Sequence, residues 1–149
     1  MNRYGRMRIG ATILGLCCLI GGLTHTTAAR AESKQEYENR IRLMLDYAMR
    51  LDDYIRAHLG DRKLASYAQV MAEKNAAEAE KMSPPESYSM LHPHLLLSLE
   101  NIERSFYFAA RGDLAQYRHH QKMVRKELQL VEALAEKEHL DVYIWGRRY

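Results

Sequence analysis

Tryptophan, cysteine, phenylalanine and proline are what this sequence has least of: one, two, two and three residues in 149. Both cysteines, Cys17 and Cys18, lie in an N-terminal stretch that reads as a removable leader. The rest of the chain therefore has no thiol for a disulfide or a thiolate nucleophile, and its fold must rest on core packing alone. No segment alternates apolar and polar residues with period two, which leaves no sheet to expect. The long apolar run, Ile9 to Leu23, has 15 residues, four of them glycine. That is short of the ~20 needed to span a bilayer, so no stable membrane anchor is expected once the leader is gone.

What the first residues do have is Arg3, Arg6 and Arg8 without an acid, then the apolar run, then small and polar residues ending in Ala29-Arg30-Ala31. This order is that of a secretory signal peptide over residues 1–31, with cleavage before Glu32 and a periplasmic or secreted product. A lipid-modified cysteine would need a small residue before it, and Leu16 stands before Cys17. Removing the leader takes the basic count from 22 to 18 against 19 acidic residues, a net charge of −1. The basic balance of the whole chain is thus a property of the leader, and nucleic acid is not an expected partner.

Residues 32–142 carry four amphipathic patterns. The first, Tyr37, Ile41, Met44, Ala48, Leu51 and Ile55, has helical spacing and runs to Gly60 as the expected C-cap. Asp61 is the expected N-cap of a second helix with Leu64, Ala68 and Met71 inward, on which Ala65, Ala68, Ala72, Ala76 and Ala79 also form a close-packed stripe of small residues. Ser83-Pro84-Pro85-Glu86 has capping-box spacing, which begins a third helix there. Pro93 then demands either a kink or a short turn before a helix proper. The third seam is Tyr88, His92, Leu95, Leu99, Ile102, Phe106 and Ala109, ending at Gly112. The fourth is Leu114, Tyr117, Gln121, Val124, Leu128, Val131 and Ala135. Gly60-Asp61 and Gly112-Asp113 leave almost no linker, so the expectation is an all-α, antiparallel up-down-up-down four-helix bundle. Residues 143–149, with Tyr143, Ile144 and Trp145, form a C-terminal tail expected to fold back on it.

In layout, and in its run of prolines, a histidine and then Gly-Asp, the chain resembles small exported helical-bundle proteins, including the periplasmic four-helix haem bundles of the cytochrome b and cytochrome c-prime types. The c-prime resemblance implies a Cys-Xaa-Xaa-Cys-His attachment site, for which residues 32–149 have no cysteine. The b-type resemblance implies a late histidine facing an early methionine, but His139 lies nearer the level of Tyr37. No haem ligand carries over, and no cofactor is expected.

His119 and His120 fall on or beside the solvent face of the fourth helix, and Asp52-Asp53 on the charged face of the first. Zinc-binding His-Glu-Xaa-Xaa-His spacing, Gly-rich phosphate loops and nucleophile elbows are all missing from the sequence. The chain is therefore read as not an enzyme. Leu97, Tyr107 and Phe108 are apolar yet lie off the third seam, and Tyr47 and Tyr54 flank the first. Half-burial against neighbouring helices is the plain account of such residues. A surface for another envelope protein, or for a second copy, is the functional one. A second function, a metal or haem carrier, rests on His92. Counting ~1.5 Å per residue from the tight turns places His92, Glu78 and Met44 in the lower third of the bundle, near Asn75. A buried imidazole needs a partner. Bonding to Glu78, Asn75 or a carbonyl freed by Pro93 would serve, while imidazole, carboxylate and thioether together could instead hold a soft metal.

Overall fold

The computed structural model describes residues 33–140, so the leader and the C-terminal tail lie outside the described residues. Four helices make up the fold: α1 (Lys34–Ala57), α2 (Arg62–Glu80), α3 (His92–Arg111) and α4 (Leu114–Lys137). Cross-helix bonds tie them together. His94 of α3 pairs with Glu127 of α4 at 2.8 Å and Asn101 with His120 at 3.0 Å. Asn75 of α2 donates to the Met44 carbonyl of α1 at 3.0 Å and Gln69 of α2 to Glu103 of α3 at 2.9 Å. The result is an all-α bundle of four helices, as expected. The backbones of α2 and α4 lie close along α3, whereas α1 approaches α2 and α3 at fewer points.

Ser33 caps α1 by accepting from the Glu36 N–H at 3.3 Å. The buried face of α1 is Tyr37, Ile41, Leu45, Ala48, Asp52 and Ile55. Leu45 and Asp52 thus stand where Met44 and Leu51 were expected, and the latter two only flank the core. Both sets have helical spacing between the same ends, and hydropathy alone favours leucine over aspartate. The helix also stops earlier than expected, at Ala57. The His58 backbone N–H bonds to the Ile55 carbonyl, and its ring takes the freed Tyr54 carbonyl at 2.8 Å. Gly60 is consequently not a left-handed cap.

Asp61 caps α2 as expected, accepting from the Leu64 N–H at 2.9 Å. The inner face of α2 is the expected small-residue stripe, Ala65, Ala68, Ala72, Ala76 and Ala79, whereas Leu64 lies at its edge and Met71 is exposed. Small side chains allow the close approach to α3, whose own face carries Leu95, Leu99, Ile102 and Phe106. Ala72→Leu is therefore expected to overpack this contact and cost ~1–3 kcal/mol in chemical denaturation. Met71→Leu, on the exposed side, should stay within ~0.5 kcal/mol.

No α-helix begins at Ser83. A single 3₁₀ turn over Glu86–Tyr88 precedes α3, and Pro85 before it has no capping bond. Of the two expected forms, the short turn is the one found, and Pro93 occupies the first turn of α3. All seven expected seam residues from Tyr88 to Ala109 are buried. At the far end Gly112 adopts φ 76°, its N–H bonds to the Ala109 carbonyl and the Asp113 N–H to that of Phe108, a left-handed helix stop. Asp113 then caps α4, accepting from the Gln116 N–H at 3.1 Å. The α4 seam is buried as expected from Tyr117 to Ala135, but Leu114, at the very start of the helix, is exposed.

Candidate functional site

The interior is not wholly apolar. Asp52 of α1 is 2 % exposed, which corrects its expected place on a charged face. Its Oδ1 accepts from the Gln121 amide at 2.5 Å and more distantly from the Tyr117 hydroxyl at 3.4 Å. Its Oδ2 accepts from Arg56 at 2.5 Å. The Gln121 amide also donates to the Ser105 hydroxyl at 3.0 Å, which itself donates to the Ile102 carbonyl at 2.7 Å. One chain of bonds thereby links α1, α4 and α3. Burial pushes the Asp52 carboxyl up from its ordinary value, against the opposing pull of Arg56. The Tyr117 hydroxyl is pushed up to about 12, by burial first and then by the charge of Asp52. Both effects favour the protonated forms of these two groups themselves.

Two signals for this network were present in the sequence. Asp52 lies four residues after Ala48 and three before Ile55, in phase with a buried face, and Gln121 stands in the α4 seam. A polar residue in a seam needs a partner across the core.

At the opposite end, His92 is buried as expected, but its Nδ1 pairs with the Tyr37 hydroxyl at 2.9 Å. Tyr37 packs against Tyr88 with ring centroids 4.8 Å apart, and the Tyr88 hydroxyl donates to Glu38. The start of α1 is thus bound to the start of α3. Glu78 is exposed and ion-paired with Lys81 at 2.6 Å, which holds its carboxyl below the ordinary value. Met44 is partly buried, and Asn75 bonds to its carbonyl rather than to an imidazole. Glu78 thus lies on the outer face while His92 is inside, bonded to Tyr37. Among the described residues no three His, Cys, Asp or Glu side chains gather as a metal site.

The third feature lies outside, on α3. Phe108 stacks on His120 of α4, with ring centroids 5.3 Å apart and planes 9° from parallel. Tyr107 meets Phe108 edge-on at 5.1 Å, and the Arg111 guanidinium lies 3.2 Å over the Tyr107 ring. His120 is accordingly half-buried, and burial lowers its pKa, with smaller contributions from His119 and Arg104. His119 remains exposed as expected. Gln69, Glu103, Arg104, Tyr107, Phe108 and His120 line a shallow groove of about 440 Å³ across this face. Leu97 is 41 % exposed on the same stripe of α3, three turns or ~16 Å from Phe108 along the axis. The structure thus groups Tyr107 with Phe108 and leaves Leu97 apart.

The chain matches no protein-family model, no curated protein and no solved structure.

Proposed function

We propose that this chain is an exported, non-enzymatic helical bundle that acts by association, with another envelope protein or with a second copy, through the outer face of α3. The observation that carries this reading is the Tyr107, Phe108 and His120 cluster, half-buried beside a shallow groove. Aromatic side chains held rigid by their neighbours offer contact area at small entropic cost, which suits them to interface anchors. The buried polar groups support a binding role over a catalytic one. Asp52 has its oxygens occupied by Arg56, Gln121 and Tyr117, an arrangement that fixes helices together. No helix among the described residues is long and apolar enough to cross a membrane.

Phe108→Ser and Tyr107→Ser test the reading. Each is expected to weaken self-association in sedimentation velocity, or capture of an envelope partner, by about tenfold or more, the effect of removing an interface anchor. Circular dichroism should retain the helical spectrum of the parent. If both variants associate like the parent, or if they lose association only by unfolding, the aromatic face serves packing and the proposal fails.

A further inference from the structure

A cleft of about 250 Å³ opens between the end of α1 and the first half of α4, lined by Arg56, Leu59, Tyr117, Arg118, Gln121 and Arg125. We infer that this cleft is an anion site for a phosphoryl group, with Arg118 and Arg125 as its principal donors and Arg56 as the third.

The first support is the placement of charge. From Leu114 to Lys126, α4 has no acidic residue, while Arg118, Lys122, Arg125 and Lys126 carry positive charge. Arg118 and Arg125 are seven residues apart, two turns on one face, with Gln121 between them. The second support is what the arginines of this chain do elsewhere. Arg50 pairs with Asp46, Arg56 with Asp52 and Arg104 with Glu100, while Arg111 lies over Tyr107. Arg118 and Arg125, which line this cleft together with the Asp52-paired Arg56, have no carboxylate partner among the described residues. Arg125 is also half-buried, where leaving a guanidinium unpaired is unfavourable.

Charge and shape then select the ligand class. Three guanidinium groups against the one carboxylate of Asp52 leave two positive charges, the complement of a phosphate monoester dianion. Asp52 takes the Arg56 Nη2 and the Tyr117 side chain is a second hydrogen-bond partner of that guanidinium, which leaves its remaining N–H groups for the cleft. Planar guanidinium forks bind phosphoryl oxygens in pairs, which a lysine cluster does not. Leu59 and the Tyr117 ring add an apolar wall that fits the organic side of an ester. The volume accommodates a phosphoryl group on a short stem and is too small for most drug-sized ligands.

Two sources offer this chemistry, a soluble phosphate or the headgroup of an anionic phospholipid. The test titrates inorganic phosphate into the purified protein while following the arginine side-chain N–H signals by nuclear magnetic resonance, with sodium chloride at matched ionic strength as the control. In parallel, the protein is sedimented with phosphatidylcholine vesicles with and without phosphatidic acid. Saturable shifts of the Arg118 and Arg125 signals support a soluble ligand, and enhanced sedimentation with phosphatidic acid supports a headgroup. In either arm Arg118→Gln/Arg125→Gln is expected to reduce affinity at least about tenfold while leaving the thermal midpoint in place. If neither probe binds beyond its control, or if the double variant binds as the parent does, the site is overturned.

Discussion

Phe106→Ala is expected to cost ~3–5 kcal/mol of unfolding free energy, with Leu99→Ala and Leu128→Ala at ~2–5 kcal/mol, as measured by chemical denaturation. Phe106 has no exposed surface and stands where the buried faces of α2, α3 and α4 form one cluster. Without a disulfide to limit the unfolded ensemble, the stability of the described bundle comes from such packing. A domain of this size has ~5–15 kcal/mol in total, so losing Phe106 alone removes a large share. Leu97→Ala, on the exposed stripe of the same helix, should change stability by less than ~0.5 kcal/mol. Equal costs for Leu97 and Leu99 would mean that the buried face of α3 is misassigned.

Asp52→Ala is expected to cost about 3 kcal/mol, because the Gln121 amide and the Tyr117 hydroxyl lose their acceptor inside the core while Arg56 can turn to water. Its pH dependence has a definite sign. Burial raises the Asp52 pKa in the folded state, so the folded chain binds this proton more readily than the unfolded one. The associated stability is fully present below the unfolded value of ~3.9 and is lost as pH rises through the folded value. Asp52→Asn cannot titrate. Parent stability measured against that variant should therefore fall as pH rises across this window. A rise instead would show that Arg56, and not burial, sets the charge state of Asp52.

Helices α3 and α4 were legible because each has one dominant row of apolar residues, broken on α4 only by Gln121 and longer on α3 than the side stripe of Leu97 and Phe108. On α1 two rows share the same ends, and an acid in the true one made the false one more hydrophobic. Helix α2 presents its alanines, which hydropathy ranks below Leu64 and Met71, because α3 already supplies the bulk at that contact. Gly112 was legible as a left-handed stop. Gly60 was not, since the cap there came from the ring of His58, a side-chain choice that spacing does not encode. His92 was legible as inward, but its bond to Tyr37 depends on how the two helix starts meet. The Asp52 network escaped for a related reason, as its two principal members are 69 residues apart and each is unremarkable alone.

The looser seating of α1 bears on how the molecule opens. Helices α2, α3 and α4 share close backbone contacts, while α1 is held by side chains across a wider gap and by polar bonds toward each end. Amide hydrogens in the middle of the three-helix unit are expected to exchange with solvent through global unfolding, and those of α1 through a cheaper opening that leaves the other three in place. That opening carries Asp52 from the core into water, where its carboxyl regains an ordinary pKa. Protection of α1 thus becomes the part of the exchange pattern most sensitive to acidity, growing as pH falls toward the value at which Asp52 takes up its proton.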